Sequence, residues 1–176
     1  MVYVFLANGF EEMEAIAPID MLRRAGVEVQ TVGIGTATPT GSHGITVTAD
    51  ITEDMVTTAD LQGVILPGGL PGTNHLEASA TVQNLLTYCA EHDLLMAAIC
   101  AAPSVLGHKG LLDGRRYTCY PGFETADGAT GEPATRDGNV ITGKGAGAAT
   151  AFARLLIAYF CGEEKADAVC GAMQCV

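Results

Sequence analysis

Three short runs of this chain, residues 2–7, 63–66 and 94–99, are apolar almost throughout and contain no charge. Runs of this kind are typical of strands buried on both faces of a parallel sheet. Residues 27–32 directly follow a helical segment, so they complete a strand–helix–strand unit whose crossover is expected to be right-handed. The pattern predicts a largely parallel sheet built on these four strands.

Helical periodicity occupies much of the sequence between the predicted strands. The first helix is predicted over residues 11–24, with Ile16, Ile19 and Leu22 on its inner side and with a kink or a late start at Pro18. The other predicted elements are an edge strand or hairpin arm over 45–49, a short helix and turn over 51–61, a helix over 79–91, a short strand over 115–119, a hairpin turning at Asp137-Gly138, a helix ending at Gly162 and a last helix over 163–173.

This alternation of strands and helices predicts the α/β class, with a largely parallel central sheet and helices on both faces. The chain has 176 residues, of which 48% are hydrophobic and 16% charged, which is enough apolar material for a core. Because no repeat, linker or low-complexity segment interrupts it, residues 1–176 are predicted to form a single domain.

Charge and cysteine usage narrow the functional classes. Nine basic and twenty acidic residues give a net charge of −11, which repels phosphate backbones, so no nucleic-acid partner is expected. The first apolar run is too short to span a bilayer and lacks a basic flank, so we expect neither a signal peptide nor a membrane partner. The six cysteines contain no CxxC pair and the four histidines are scattered. We therefore expect reduced thiols, a cytoplasmic location, and no metal or other cofactor.

Cys100 follows the apolar run 94–99 and precedes Ala101, Ala102 and Pro103. Proline is tolerated in the first turn of a helix, so this cysteine is predicted at a sharp strand-to-helix junction, like the nucleophile elbow of hydrolases. A thiolate at the positive end of a helix is stabilised, which predicts a lowered pKa and a reactive sulfur. The alternative is a structural cysteine that packs as a small apolar residue.

Three loops leave the carboxyl ends of predicted strands, over residues 8–14, 67–75 and 100–103. In an open parallel sheet, sites form at this edge, near the point where the strand order reverses. The loops bring together acids, a glycine-rich segment and a thiol. An acid beside a cysteine can move a proton or hold an oxidised sulfur, and one acid here is expected to have a raised pKa. Backbone N–H groups of an oxyanion hole are predicted at Gly68, Gly69 and Ala101.

The chain carries four motifs in order: Asn-Gly-Phe-Glu-Glu-Met-Glu at 8–14, Leu-Pro-Gly-Gly at 66–69, Ala-Ala-Ile-Cys-Ala-Ala-Pro at 97–103 and Gly-Lys-Gly-Ala-Gly at 143–147. Together they resemble the ThiJ/PfpI superfamily and, more narrowly, its parkinsonism-associated deglycase (DJ-one) branch. The resemblance implies a flavodoxin-like three-layer sandwich and a homodimer. It also implies that Cys100 is an oxidisable nucleophile, that the Glu14 carboxyl hydrogen-bonds it, and that Gly68, Gly69 and Ala101 line the oxyanion hole.

Some positions depart from the family pattern, and two of them bear on the mechanism. Tyr120 stands where the family often has a histidine near the cysteine, so a mechanism that needs that imidazole is not expected. Ala101 follows the cysteine where the intracellular-protease branch has a histidine, which argues against a peptidase. Glu11 and Glu12 are expected to be solvated acids of the first helical turn. Further residues predicted to line the site are Tyr120, Asn8 and His75.

Two functions need the same reactive thiol and stay open at this point. In the first, the chain is a cofactor-independent enzyme of the glyoxalase or deglycase type. Cys100 adds to a small α-oxoaldehyde such as methylglyoxal, or to an early glyoxal adduct, and Glu14 moves the proton that releases a hydroxy acid. In the second, the chain is a redox-sensing or stress-protective, chaperone-like protein whose Cys100 is oxidised to sulfinate. A role in thiazole or thiamine metabolism is a minor third alternative, because it rests only on an old name for part of the superfamily.

Overall fold

The computed structural model of the chain describes residues 1–175, so Val176, the last residue of the predicted domain, lies outside the described residues. Its seven strands are β1 (Val2–Ala7), β2 (Val29–Ile34), β3 (Ile51–Thr52), β4 (Gly63–Leu66), β5 (Leu95–Ile99), β6 (Ala134–Asp137) and β7 (Val140–Gly143). Its six α-helices are α1 (Glu12–Ala25), α2 (Gly72–Ala78), α3 (Ala80–Glu91), α4 (Pro103–His108), α5 (Ala149–Cys161) and α6 (Glu163–Ala172).

The strands form one sheet in the order β3-β2-β1-β4-β5-β7-β6. Every neighbouring pair is parallel except the β6–β7 hairpin, which is antiparallel. From β1 the chain builds the sheet outward through β2 and β3, and it then returns to β4 and builds in the opposite direction. The strand order therefore reverses between β1 and β4, the position where open parallel sheets form their sites.

Helices cover both faces of the sheet, because successive side chains of a strand point to opposite faces. Val2, Val4 and Leu6 of β1 share a buried cluster with residues of α1, α5 and α6. The alternate residues of β1 share a second cluster with residues of α2, α3 and α4. The predicted flavodoxin-like three-layer fold is confirmed. In addition, no helix among residues 1–175 is both long and apolar enough to cross a membrane.

Several predicted elements differ from the structure because backbone hydrogen bonds are used elsewhere. The second strand begins at Val29 and not at residue 27, since the Val27 N–H closes the end of α1 on the Leu22 carbonyl at 3.0 Å. α1 is one helix that contains Pro18, and Ile16, predicted on its inner side, is 42% exposed.

Residues 45–49 form a hairpin arm without a regular strand. The Val47 N–H donates to the Pro39 carbonyl, but Pro39 has no N–H to return, so the ladder stays incomplete. The segment predicted as a short helix and turn contains the short strand β3 and a 3₁₀ turn over Glu53–Met55. The predicted strand over 115–119 is reduced to an isolated bridge at Tyr117, and α2 was not predicted.

Candidate active site

The sheet order places a glycine between the two candidate reactive groups. Glu14 lies in the first turn of α1 after β1, Cys100 follows β5, and Gly68 follows the intervening strand β4. A Cβ atom at Gly68 would lie 2.6 Å from Glu14 Oε2 and 2.7 Å from Cys100 Cβ. Only a residue without a side chain leaves room there, so Gly68 allows the carboxyl and the thiol to approach each other.

Cys100 occupies the predicted strand-to-helix junction in a backbone conformation that few non-glycine residues adopt. Its φ is +64°, in the left-handed region, which costs about 1 to 2 kcal/mol for a residue with a Cβ. The Cys100 N–H donates to the Gly143 carbonyl at 2.9 Å, and the Cys100 carbonyl accepts from the Tyr120 N–H at 2.8 Å. These bonds to two other segments fix the turn and hold the sulfur at the edge of the sheet.

Glu14 is a buried carboxyl with a strongly raised affinity for a proton. Its side chain is 1% exposed, and its Oε2 accepts a 2.9 Å hydrogen bond from the Gly68 N–H. Within residues 1–175, its buried Oε1 has no hydrogen-bond partner. Burial raises the pKa of Glu14 to about 7, the charge of Glu11 adds to the rise, and hydrogen bonds with Cys100 and Gly68 oppose it. The acid with a raised pKa that the sequence predicted at this edge is therefore Glu14.

The thiol of Cys100 has its pKa raised as well, which contradicts the expectation of a lowered value. Burial comes first among the causes, and the charge and hydrogen bond of Glu14 bring the pKa of Cys100 to about 12. The N–H groups of Ala101 and Gly69 act in the opposite direction without compensating. The prediction failed because α4 has only six residues and begins at Pro103, while a buried carboxylate lies directly against the sulfur.

Glu14 and Cys100 therefore titrate as a coupled pair. Between a pH of about 7 and a pH of about 12 the two groups hold one proton in total. The two pKa values place that proton mainly on Cys100. In the less populated form Glu14 carries it, and the sulfur is a thiolate that accepts hydrogen bonds from its neighbours. The arrangement thus supplies a nucleophile and a proton donor from the same ionisation state.

The predicted oxyanion donors divide into two groups. The Gly68 N–H is used by Glu14, so in this structure it anchors the carboxyl, which differs from its predicted role. The N–H groups of Gly69 and Ala101 face the Cys100 sulfur and lower its pKa. These two amides are available to an oxygen that develops on a carbon bonded to the sulfur.

Tyr120 borders an open hollow beside the Cys100 junction. Its N–H bonds the Cys100 carbonyl, while the residue is 52% exposed. The hollow has a volume of about 600 Å³. Its lining residues are Tyr120, Pro121, Pro133, Lys144, Gly145, Ala146, Gly147 and Ala148.

The other two residues predicted to line the site border a second hollow, and Cys100 and Glu14 line neither this hollow nor the one at Tyr120. His75 Nδ1 is 3.0 Å from the Asn8 carbonyl oxygen, so these two residues are neighbours. They line a separate hollow of about 360 Å³ with Glu53 and Ser79, and neither Cys100 nor Glu14 lines it. The structure therefore places Asn8 and His75 beside each other but outside the hollow at Tyr120.

The histidine side chains each have a polar partner at one ring nitrogen. Each of the four imidazoles of the chain has its Nδ1 within 3.1 Å of an oxygen atom elsewhere. The pairs are His43 with Glu12, His75 with the Asn8 carbonyl, His92 with the Tyr88 carbonyl and His108 with Glu77.

Glu12 is a structural anchor that the sequence prediction missed. It is buried and not solvated: its Oε1 accepts from the His43 N–H at 2.7 Å and its Oε2 lies 2.8 Å from His43 Nδ1. Burial alone would raise the pKa of Glu12, but the hydrogen bonds from His43 and Ile45 lower it to about 2. Glu11 also has a structural role, since its Oε2 accepts from the Glu14 N–H at 2.8 Å and caps α1. No feature of three closely spaced acids distinguishes these roles in the sequence.

Glu11, Glu12 and His43 place potential metal-ligand atoms within 4.8 Å of one another. The Glu12 oxygens and His43 Nδ1 already bond to each other, and the Ile45 N–H also approaches Glu12 Oε1 at 3.5 Å. Glu11 Oε2 is occupied by the helix cap. The donor set therefore fits a hydrogen-bonded anchor for the 42–45 loop better than a cation site.

Comparisons with known proteins agree with this geometry. Residues 1–159 match the DJ-1/PfpI family. Drosophila melanogaster DJ-1beta is 37% identical over 175 residues, covering 94% of this chain and 92% of that protein. Its crystal structure matches with a TM-score of 0.94 at 34% identity, covering 99% of this chain and 97% of that one.

Two further relatives differ from this chain in length. Arabidopsis thaliana DJ-1 homolog A is 36% identical over 175 residues, which are 96% of this chain but 45% of that protein. A Pyrococcus horikoshii protein named a deglycase is 35% identical over 119 residues, covering 67% of this chain and 70% of that protein.

The coupling between Glu14 and Cys100 predicts how the thiol responds to pH. In the native chain, the step near pH 7 is the loss of the Glu14 proton, and Cys100 becomes a thiolate mainly in the second step near pH 12. In Glu14→Gln the negative charge is gone and the amide donates to the sulfur, so one step should occur about one to three pH units below the second native step. Iodoacetamide alkylation of Cys100, mapped by peptide mass against pH, measures both profiles.

Cys100→Ser is the blank for this titration, because it keeps the other thiols and removes only the one of interest. Identical profiles in the native chain and in Glu14→Gln would show that the carboxyl does not control the sulfur.

Proposed function

The chain belongs to the DJ-1/PfpI family, and from this premise we propose that it is a cofactor-independent enzyme that converts small reactive aldehydes to hydroxy acids. Cys100 is the nucleophile and Glu14 carries the proton. The observation that supports this most strongly is the buried pair itself, whose two groups hold one proton between about pH 7 and about pH 12. A pair of this kind can attack a carbonyl carbon and protonate the carbonyl oxygen in the same step.

With methylglyoxal, the Cys100 thiolate forms a C–S bond to the aldehyde carbon and the C=O π electrons move to oxygen. The N–H groups of Gly69 and Ala101 stabilise that oxygen, and Glu14 gives it the proton, which yields a hemithioacetal. Glu14, now a carboxylate, takes the proton from the former aldehyde carbon, and the hydroxyl proton on that carbon passes to the neighbouring carbonyl oxygen. Glu14 then returns its proton to the neighbouring carbon. The resulting thioester is hydrolysed by water to lactate and the free thiol, so the net reaction is methylglyoxal plus water to lactate.

An early adduct of glyoxal or methylglyoxal with an amine or a thiol first releases that group: the adduct hydroxyl loses its proton, the C–N or C–S bond breaks, and the leaving amine or thiol takes up a proton. The freed aldehyde then follows the same steps to the hydroxy acid, which is a deglycase reaction. The Pyrococcus horikoshii relative that is named a deglycase supports this form of the proposal.

The first test is lactate formation from methylglyoxal by the purified chain. Cys100→Ser should lower the rate at least about a hundredfold because the C–S bond no longer forms, and Glu14→Gln should lower it similarly because no proton moves. Cys119→Ser is the matched control, since it removes another buried thiol of the chain and should keep the native rate within about twofold. Lactate formation that persists unchanged in Cys100→Ser would refute the proposal.

The hollow beside Tyr120 offers a way to separate the two substrate classes. Gly147 lines this hollow and a Cβ there would meet no atom within 4 Å, so a leucine can be added at its wall without an initial clash. Gly147→Leu should leave methylglyoxal turnover within about twofold and lower turnover of a methylglyoxal-treated peptide about tenfold, because only the larger substrate needs the space. The measurement is the rate of hydroxy acid release from each substrate, compared between the native chain and Gly147→Leu.

Gly171→Leu is the control for that substitution, because a Cβ at Gly171 also meets no atom within 4 Å and α6 lies outside the hollow. Equal losses on both substrates in Gly147→Leu would mean that the hollow does not select by size.

The alternative function, a redox-sensing or stress-protective protein, is favoured by one observation. Glu14 Oε1 is buried and has no partner among residues 1–175, and the Gly69 and Ala101 N–H groups face the sulfur. A sulfinate on Cys100 would accept hydrogen bonds from a protonated Glu14 and from these amides. Mild peroxide treatment should then add two oxygens to Cys100 before any other cysteine, as measured by peptide mass. Earlier oxidation of another cysteine would exclude this function.

We further propose that residues 1–176 act as one domain, that the chain forms a homodimer, and that it works in the cytoplasm. The single sheet that contains all seven strands supports one domain. Met13 and Ile16 of α1 are 59% and 42% exposed, an apolar surface that a second copy could cover. The six free cysteines fit a reducing compartment.

A further inference from the structure

The end of α6 brings two cysteines together through its backbone. The Cys175 N–H donates to the Cys170 carbonyl at 3.0 Å, and the Gln174 N–H donates to the Gly171 carbonyl at 3.2 Å. Gln174 has a φ of +55°, in the left-handed region. This pair of hydrogen bonds around a left-handed residue is the Schellman motif, in which the side chains at the positions of Cys170 and Cys175 ordinarily touch.

The two side chains are placed for a covalent bond. The 3.0 Å hydrogen bond keeps their Cα atoms within about 7 Å of each other, close to the range that disulfides span. Both cysteines are half-buried and pack against the edge of the core cluster under α6. After burial, the neighbouring Cys175 thiol is a cause of the raised pKa of Cys170, which fits direct contact between the two groups.

We propose that Cys170 and Cys175 form a reversible disulfide when the chain meets a low-molecular-weight disulfide of the glutathione type. One cysteine thiolate attacks the oxidant's S–S bond, which gives a mixed disulfide and releases one small thiol. The second cysteine then attacks the mixed disulfide, which forms the Cys170–Cys175 bond and releases the second small thiol. The protein dithiol is oxidised, the small disulfide is reduced to two thiols, and Cys100 takes no part.

The remaining cysteines do not have this arrangement. Cys89 and Cys119 are buried in the cluster on the other face of the sheet. Cys161 is exposed at the end of α5, which makes it an internal reference for a thiol without a built-in partner.

Redox titration of the full chain tests the proposal directly. The folded protein is equilibrated in buffers of increasing oxidised-to-reduced glutathione ratio, the remaining thiols are alkylated, and the chain is digested with trypsin. Cleavage after Arg154 and Lys165 places Cys161 in peptide 155–165, and Cys170 and Cys175 together in peptide 166–176. Peptide 166–176 should lose the mass of two hydrogens at a ratio about tenfold lower than in the urea-denatured chain, because the folded turn holds the thiols together.

Two substitutions at Gln174 show whether the turn is responsible. Gln174→Gly favours the left-handed conformation and should keep or ease disulfide formation. Gln174→Ile disfavours the left-handed conformation, so its disulfide should require an oxidised-to-reduced glutathione ratio several-fold higher than in the native chain. The Cys170–Cys175 disulfide is ruled out if peptide 166–176 carries only glutathione adducts, if it is crosslinked to peptide 155–165, or if the folded and denatured chains oxidise at the same ratio.

Discussion

The site depends on one constraint, which is that the residue at position 68 is a glycine and has no side chain. Glu14 and Cys100 follow β1 and β5, which are separated by β4, so their strands lie about 10 Å apart. The two side chains meet only by extending over the residue that ends β4, where any Cβ would overlap both. The same residue donates its N–H to Glu14 and so fixes the carboxyl in place. The sheet order thus dictates both the approach of the reactive groups and the residue type between them.

This arrangement costs stability locally. Cys100 adopts a left-handed conformation, and Glu14 has its pKa raised from 4.5 to about 7. A carboxyl whose folded pKa is raised holds its proton more tightly in the folded chain. Its contribution to the free energy of unfolding is therefore largest below pH 4.5 and declines as the pH rises through about 7. Two buried clusters on opposite faces of the sheet offset this cost.

Local patterns allowed much of the fold to be predicted, whereas long-range contacts escaped prediction. The apolar runs marked β1, β4 and β5, and the small residues before Pro103 marked the Cys100 turn. Glu14 was singled out only by resemblance to a family, because its burial depends on how α1 packs. The direction of the Cys100 pKa was wrong because it depends on burial and on a carboxyl from a distant segment. Glu12 was missed because its partner His43 is 31 residues away.

The hollow beside Tyr120 and the proton-sharing pair are built from different parts of the chain. The hollow is lined by residues of the 120–121, 133 and 144–148 segments. The pair and its amide donors come from Glu14, Gly68, Gly69, Cys100 and Ala101. Replacements in the lining can therefore alter which molecules fit without disturbing the sulfur. For the enzyme proposed above, the range of accepted compounds can diverge during evolution while the underlying reaction is retained.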